Sequence, residues 1–464
     1  MIKFLKLIIV SITLFLVTST NAFAVVDPKA SQNNIVGIGL LSPDAEVDEA
    51  AQLVNTNGQW GYVLLTILKD ERNVDRWQKV FNDLNDRKLI PIVRLATKFD
   101  SRGFWQRPTD EDARNWADFL SKLYWPTKNR YVQIYNEVNH AQEWGGAADP
   151  SDYAKELSKT IDALKSKSQD FFVLNSPLDL ALTSSTTSVE AENFYQTMES
   201  SVAGIFNKLD GWASHSYPNP DFSASPYKTG RLSILGYRWE LSFIKDFTSH
   251  DLPVFITETG WRRSDTKSGL GEDTIADYYK IAFEQIWKDE DIVAVTPFVF
   301  SYDDGAFQAF SFKANEKVLG KKFYDYHEVI KNLQKVVGNP VKENIAGELE
   351  VKVPTSLINK LPEESRISVK NIGNTIWRRS ENFNFQINAA NAEVYDTIWS
   401  RDKVYPGENM DLKFKIKSLK SGDVPLVVEA ASGNQILGKT QLTLHSDSLL
   451  SVLLKSLKSL GRSN

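Results

Sequence analysis

The chain has no cysteine among its 464 residues, which excludes disulfide bonds, thiol nucleophiles and cysteine metal sites. Histidine is scarce too. The five copies, His140, His215, His250, His327 and His445, lack the close spacing of a zinc-binding helix, so no metal or cofactor is expected. Charge of one sign is not in large excess. The net charge of −5 argues against the concentrated basic surface that phosphate backbones require, and nucleic acid is not expected as a partner. A long apolar stretch occurs only at the start, where Lys3 and Lys6 precede Leu7-Ile8-Ile9-Val10 and Leu14-Phe15-Leu16-Val17 and the run closes on Ala22-Phe23-Ala24. That order predicts a signal peptide over residues 1–24 and a secreted or extracytoplasmic protein. The run is short for a bilayer span.

Apolar and aromatic residues are plentiful, at 42% and 11%, enough for a large core, and the length predicts two domains. From residue 33 to 338, β-branched or apolar runs alternate with stretches of helical period, the pattern of βα units around a parallel sheet. Eight strands are expected: 35–40, 62–67, 91–95, a run ending at Glu137, 171–175, 211–215, a run ending at Glu258, and 294–300. Helical period fills 113–124, 153–166 and 274–287 between them. The count predicts a (β/α)8 TIM barrel. An open doubly wound sheet is disfavoured because no glycine-rich phosphate turn follows the first strand.

Past Val337 the texture changes. Gly338-Asn339-Pro340 breaks the last helix, and residues 345–445 alternate polar and apolar side chains in runs such as Leu349–Val353, Arg366–Lys370 and Asp411–Ile416. This predicts a small antiparallel β-sandwich. Residues 446–464 set Leu449, Leu450, Leu453, Leu454, Leu457 and Leu460 against Lys455, Lys458 and Arg462. They read as a short basic amphipathic helix suited to a membrane or cell surface, to packing on the protein, or to fraying as a tail.

Two segments point to chemistry: Tyr135-Asn136-Glu137-Val138 and Ile256-Thr257-Glu258-Thr259-Gly260-Trp261, each an apolar run that stops at a glutamate. Side chains at the ends of parallel strands project into the crevice where ligands bind. Two carboxyl groups flanking one bond are what acetal cleavage between sugars uses: one gives a proton while the other attacks carbon or activates water. A carbohydrate is therefore the expected partner.

With Asn-Glu on the fourth expected strand and a second Glu on the seventh, residues 33–337 resemble the clan A glycoside hydrolases, a (β/α)8 superfamily. The resemblance implies that Glu137 is the acid/base and Glu258 the nucleophile of a retaining reaction, and that Asn136 holds the sugar 2-hydroxyl. His215-Ser216-Tyr217 resembles the clan's His-x-Tyr pattern, in which the tyrosine orients the nucleophile. Glu258-Thr259-Gly260-Trp261 is similar to a run in family 17 type β-1,3-glucanases, which makes Trp261 a candidate floor for a sugar ring and Trp144 a similar candidate on the leaving-group side. The chain departs from the clan at strand two, which lacks the usual arginine, leaving Arg94 on strand three as the nearest substitute. Strand eight offers Tyr302 where a tryptophan is common. Asn175, ending strand five, is placed either in the cleft or as a turn cap. Asn371–Trp377 and Tyr405-Pro406-Gly407-Glu408 resemble immunoglobulin-like modules, with Trp377 as core. A transglycosylase using the same site, or an inactive glycan-binding surface protein, are the alternatives.

Overall fold

A computed structural model describes residues 25–56, 59–264, 270–303, 305 and 307–460. The expected signal peptide over residues 1–24, and every tail side chain beyond Leu454, lie outside the described residues. Two compact units divide the chain, with the sequence boundary between Lys342 and Glu343.

The first unit is a (β/α)8 barrel. Strands β1 (Gly37–Leu40), β2 (Gly61–Leu68), β3 (Leu89–Ala96), β4 (Arg130–Gln133) and β5 (Phe171–Leu174) pair in chain order, as do β6 (Trp212–His215), β7 (Val254–Glu258) and β8 (Ile292–Val295). All of these pairings are parallel. Single parallel bridges, Leu174 to Gly211 and Val36 to Val295, close the ring. Outside it lie helices α1 (Pro43–Val54), α2 (Val74–Asp86), α3 (Asp112–Leu120), α4 (Pro150–Lys167), α5 (Ala191–Ser201), α6 (Gly236–Ile244), α7 (Glu272–Ile281), α8 (Glu316–Leu319) and α9 (Asp325–Asn332).

Local sequence starts these helices where the strands end. Asn73 and Asp149 cap α2 and α4 by accepting bonds from the backbone N–H of Arg76 and Asp152, and Pro43 and Pro150 supply the fixed φ of a first helical turn. Inside the ring, the rings of Tyr62, Tyr131, Phe172 and Phe255 meet at centroid distances of 5.1 to 6.4 Å. They fill the barrel as a packed core, not a pore. Gly37 has to be glycine beside them, because a Cβ there would lie 2.6 Å from Thr296 Cγ2 and 2.9 Å from the Tyr62 carbonyl oxygen.

Two strands end earlier than the sequence suggests. β4 stops at Gln133, not Glu137: the Gln133 amide donates to the Tyr135 carbonyl, and Tyr135 and Glu137 turn left-handed at φ 68° and 36°. β8 stops at Val295, since Pro297 has no N–H to offer the ladder. The expected 274–287 helix changes character too, with α7 running into a π-helical turn over Ala282–Ile286.

The second unit holds two four-stranded sheets. One is ordered Ser356–Ile358, Gln435–Asp447, Gly422–Ser432, Phe383–Ala389; the other is ordered Ala392–Trp399, Asn409–Ser418, Pro362–Asn371, Gly347–Lys352. Every second residue of Asn409–Ser418 from Met410 on is buried, the period of a strand with one face in a core. Trp377 is fully buried in that core, stacked on Phe383 at 5.3 Å. A terminal helix covers Leu449–Leu460, with Leu449 and Leu450 exposed. No helix among the described residues is long and apolar enough to cross a membrane.

Candidate active site

Register brings the site together at the C-terminal ends of the barrel strands. Thr66 pairs with Arg94 across β2 and β3, and a register shift between Ser214 and His215 sets His215 opposite Glu258 across β6 and β7. Glu137 reaches the same point from the irregular turn after β4, whose amide at 137 is held by the Pro177 carbonyl. Left-handed backbone at a non-glycine residue costs about 1–3 kcal/mol and persists only where the surroundings impose it. Here it aims the Glu137 carboxyl at His215 Nδ1, 2.7 Å away.

Glu258 is the most constrained group. The Arg94 guanidinium donates to its Oε1 at 2.6 Å, the Tyr217 hydroxyl donates to its Oε2 at 3.0 Å, and His215 Nδ1 stands 3.8 Å from that same oxygen. Arg94 is fixed in turn by the Asn136 Oδ1 at 2.8 Å and the Thr66 hydroxyl at 2.9 Å. Burial works against a charge on Glu258, yet His215, Arg94 and the two hydrogen bonds outweigh it and hold the carboxyl below its ordinary pKa. Although burial also disfavours an imidazolium, the two glutamates lift the His215 pKa. Burial and the carboxylates push the Tyr217 hydroxyl well above its usual value, so it stays a donor.

Glu137, His215 and Glu258 each present an atom within 4.8 Å of the other two. Such a trio could ligate a cation, but Arg94 already places a fixed positive charge on Glu258, which opposes a dication at that point.

The structure therefore gathers Glu137, Glu258, Asn136, Arg94, His215 and Tyr217 into one cluster. Trp144, Trp261 and Asn175 are corrections. The Trp144 ring is 1% exposed and donates its N–H to Asp152, and Trp261 is 2% exposed and donates to the Ala224 carbonyl. Both rings pack against tyrosines of the helical layer, Tyr153 and Tyr279, and offer no open face to a sugar. Asn175 neither lines the cleft nor caps a turn: its amide joins β5 to β6 through the Ala213 N–H and carbonyl. Tyr302 packs on Phe307 in the loop after β8.

Three further groups belong to the site. His140 sits 3.9 Å from the Glu137 carboxyl and 3.1 Å from Asp179, whose backbone N–H bonds Asn139. Although burial works against its charge, Asp179 and Glu137 raise the His140 pKa. Glu143, on the short turn Ala141–Glu143, is pushed up to about 7 by burial first and then by the charge of Glu137. The spacing of His140 from Glu137 was visible in the sequence; the half-buried placement of Glu143 had no sequence signal.

No protein-family model and no curated protein sequence matches the chain. Solved structures with a similar fold are glycoside hydrolases. One is a family 39 enzyme from the gut symbiont Bacteroides cellulosilyticus WH2, at 12% identity and TM-score 0.45, covering 85% of this chain and 82% of that one. Another is a family 128 (subgroup II) endo-β-1,3-glucanase from Sorangium cellulosum, at 10% identity and TM-score 0.42, covering 65% and 98%. A third is the β-mannanase of Thermomonospora fusca bound to mannohexaose, at 14% identity and TM-score 0.41, covering 65% and 89%. Likeness this distant says nothing of this chain's substrate or mechanism.

Proposed function

We propose that the protein is an exported glycoside hydrolase that cleaves β-glycosidic bonds with net retention. The observation that carries the reading is the convergence of Glu137 and Glu258 on His215 Nδ1, with carboxylate oxygens of the two residues within 4.8 Å. Retaining enzymes hold their carboxyl groups about 5–5.5 Å apart, whereas inverting ones leave about 6.5–9.5 Å for a water. The spacing supports direct attack by a carboxylate.

The surroundings divide the roles. Glu258, held ionised by Arg94, Tyr217 and His215, attacks the anomeric carbon. Glu137, more open to solvent, hands a proton to the departing oxygen, and His215 Nδ1 at 2.7 Å shares that proton with it. Water then enters on the Glu137 side, loses its proton to Glu137 and releases the sugar with its configuration kept. Asn136, with its Oδ1 committed to Arg94, keeps its amide N–H groups for the sugar 2-hydroxyl. Export rests on the basic-then-apolar opening of residues 1–24.

The test is Glu258→Ala assayed on β-glucan, mannan, xylan and galactan. Turnover should vanish and partly return with azide, giving a glycosyl azide of inverted configuration. Full activity in Glu258→Ala would rule the assignment out, and an inverted first product from the wild type would rule out retention.

A further inference from the structure

Beyond β3 the chain makes a small, well-tied hairpin over residues 97–106. Lys98 and Gln106 bond through their backbones at 2.9 Å, as do Asp100 and Phe104 at 2.8 Å, and the Thr97 hydroxyl donates to the Gln106 carbonyl at 2.7 Å. Asp100 closes the turn by accepting from the backbone N–H groups of Arg102 and Phe104. Phe99 and Trp105 stand directly opposite one another as a bridge pair, with ring centroids 3.9 Å apart and planes inclined by 33°. This pair is not core. Phe99 is 56% exposed and Trp105 is half-buried.

The hairpin is tied to the turn that follows Glu137. The Trp105 N–H donates to the Gln142 carbonyl at 2.8 Å, the Gly145 N–H donates to the Trp105 carbonyl at 2.7 Å, and Arg102 reaches the Gly145 carbonyl at 3.1 Å. Between the two anchor points lies Glu143, which feels the charges of both Glu137 and Glu258. The pair thus stands at the β3–β4 side of the mouth.

On the opposite side, the ends of β6 to β8 carry a continuous set of ring contacts. Tyr217, whose hydroxyl holds Glu258, meets Phe222 at a centroid distance of 5.0 Å; Phe222 meets Phe310 at 5.2 Å; Phe310 meets Phe298 at 6.0 Å; and Phe298 continues outward to Phe307 at 5.5 Å. Phe307 is 48% exposed. The face of an aromatic ring, with its negative quadrupole, suits the C–H face of a pyranose.

Resting on the glycosidase reading above, we infer that Phe99 and Trp105 form a sugar-stacking platform on the Glu137 side, opposite the aromatic wall on the Glu258 side, so that a glycan chain lies across the mouth and is cut internally. An enzyme working from chain ends needs sugar contacts on one side of the pair and a wall on the other. Here both sides offer rings on preformed backbone, and the hairpin's own bonds remove most of the ordering cost of binding.

The test uses the full chain in two independent readouts. In native gels containing mannan, β-1,3-glucan or β-1,4-glucan, the wild type should be retarded by at least one. Trp105→Ala and Phe99→Ala should lose at least half of that retardation, and Trp105→Phe should keep most of it. Equal retardation of the alanine variants, or no retardation of the wild type by any of the three, overturns the platform. This readout needs no turnover, so it stands even if Glu258→Ala shows that the hydrolase reading is wrong. With hexasaccharides of the same three glycans, the platform predicts early products of two to four sugars. It also predicts that the kcat/KM ratio of hexasaccharide to trisaccharide falls about tenfold in Trp105→Ala. Release of single sugars alone, or an unchanged ratio, counts against internal cleavage.

Discussion

Replacing Arg94 with methionine isolates what keeps Glu258 charged. The guanidinium donates to Glu258 Oε1 at 2.6 Å, and the two side chains are only 14% and 11% exposed, so solvent screens the contact little. A hydrogen bond to a charged group in such a place is worth about 1.5–3 kcal/mol, and one pKa unit corresponds to about 1.4 kcal/mol. Losing it should therefore raise the Glu258 pKa. The sign follows from linkage: a carboxyl with a depressed native pKa stabilises the fold above its unfolded pKa, and that contribution is lost as pH falls through the native value. In Arg94→Met the loss begins at higher pH, and the acid limb of kcat/KM moves up, by about 1–2 pH units when the whole of that hydrogen-bond energy is lost. Arg94→Lys keeps the charge without the fork to Asn136 and Thr66, and should fall between the two. Urea denaturation from acid to neutral pH reads the same shift without turnover. An acid limb and a denaturation profile that both stay in place in Arg94→Met would refute the account of Glu258.

Three other outcomes can be checked. Tyr217→Phe removes one donor to Glu258, so kcat/KM measured by steady-state kinetics should drop about 5–30-fold, equivalent to about 1–2 kcal/mol. Glu143→Gln removes a carboxyl pushed up to about 7. Because that raised pKa makes Glu143 lose stability for the fold as pH rises through it, the variant should gain stability relative to the wild type above neutrality, measured by thermal melts across pH 5 to 9. Gly37→Ala forces a methyl against Thr296 and the Tyr62 carbonyl and should cost about 1–3 kcal/mol, seen as a lower urea midpoint at unchanged slope.

The barrel was legible because each strand announces itself as a short β-branched or apolar run and the stretches 113–124, 153–166 and 274–287 between them carry a 3.6-residue period; the caps at Asn73 and Asp149 emerged only from the structure. Glu137 and Glu258 were legible for the same reason, since both follow such runs. Arg94 could be named as a neighbour of Glu258, but its contact depends on the Thr66–Arg94 register, which only the paired strands set. The aromatic reading failed at Trp144 and Trp261 because a ring just past a strand end can turn into the mouth or back into the helical layer, and periodicity does not say which. In both cases a half-buried acceptor, Asp152 or the Ala224 carbonyl, takes the indole N–H away from the mouth. Phe99 and Trp105 went unnoticed although the Asp-Ser-Arg-Gly turn between them is a hairpin signal. Glu143 drew no attention because its half-buried place beside Glu137 is a property of the folded chain.

The four rings that plug the barrel separate what holds the protein together from what it recognises. The 97–106 hairpin joins its neighbour loop through two main-chain bonds at Trp105 and one from the Arg102 side chain, so its ring content can be varied while those joints are kept. Swapping it for hairpins of other length or ring content would retune the range of glycans accepted while leaving the barrel floor and the glutamate pair untouched, a natural starting point for libraries aimed at new polymers.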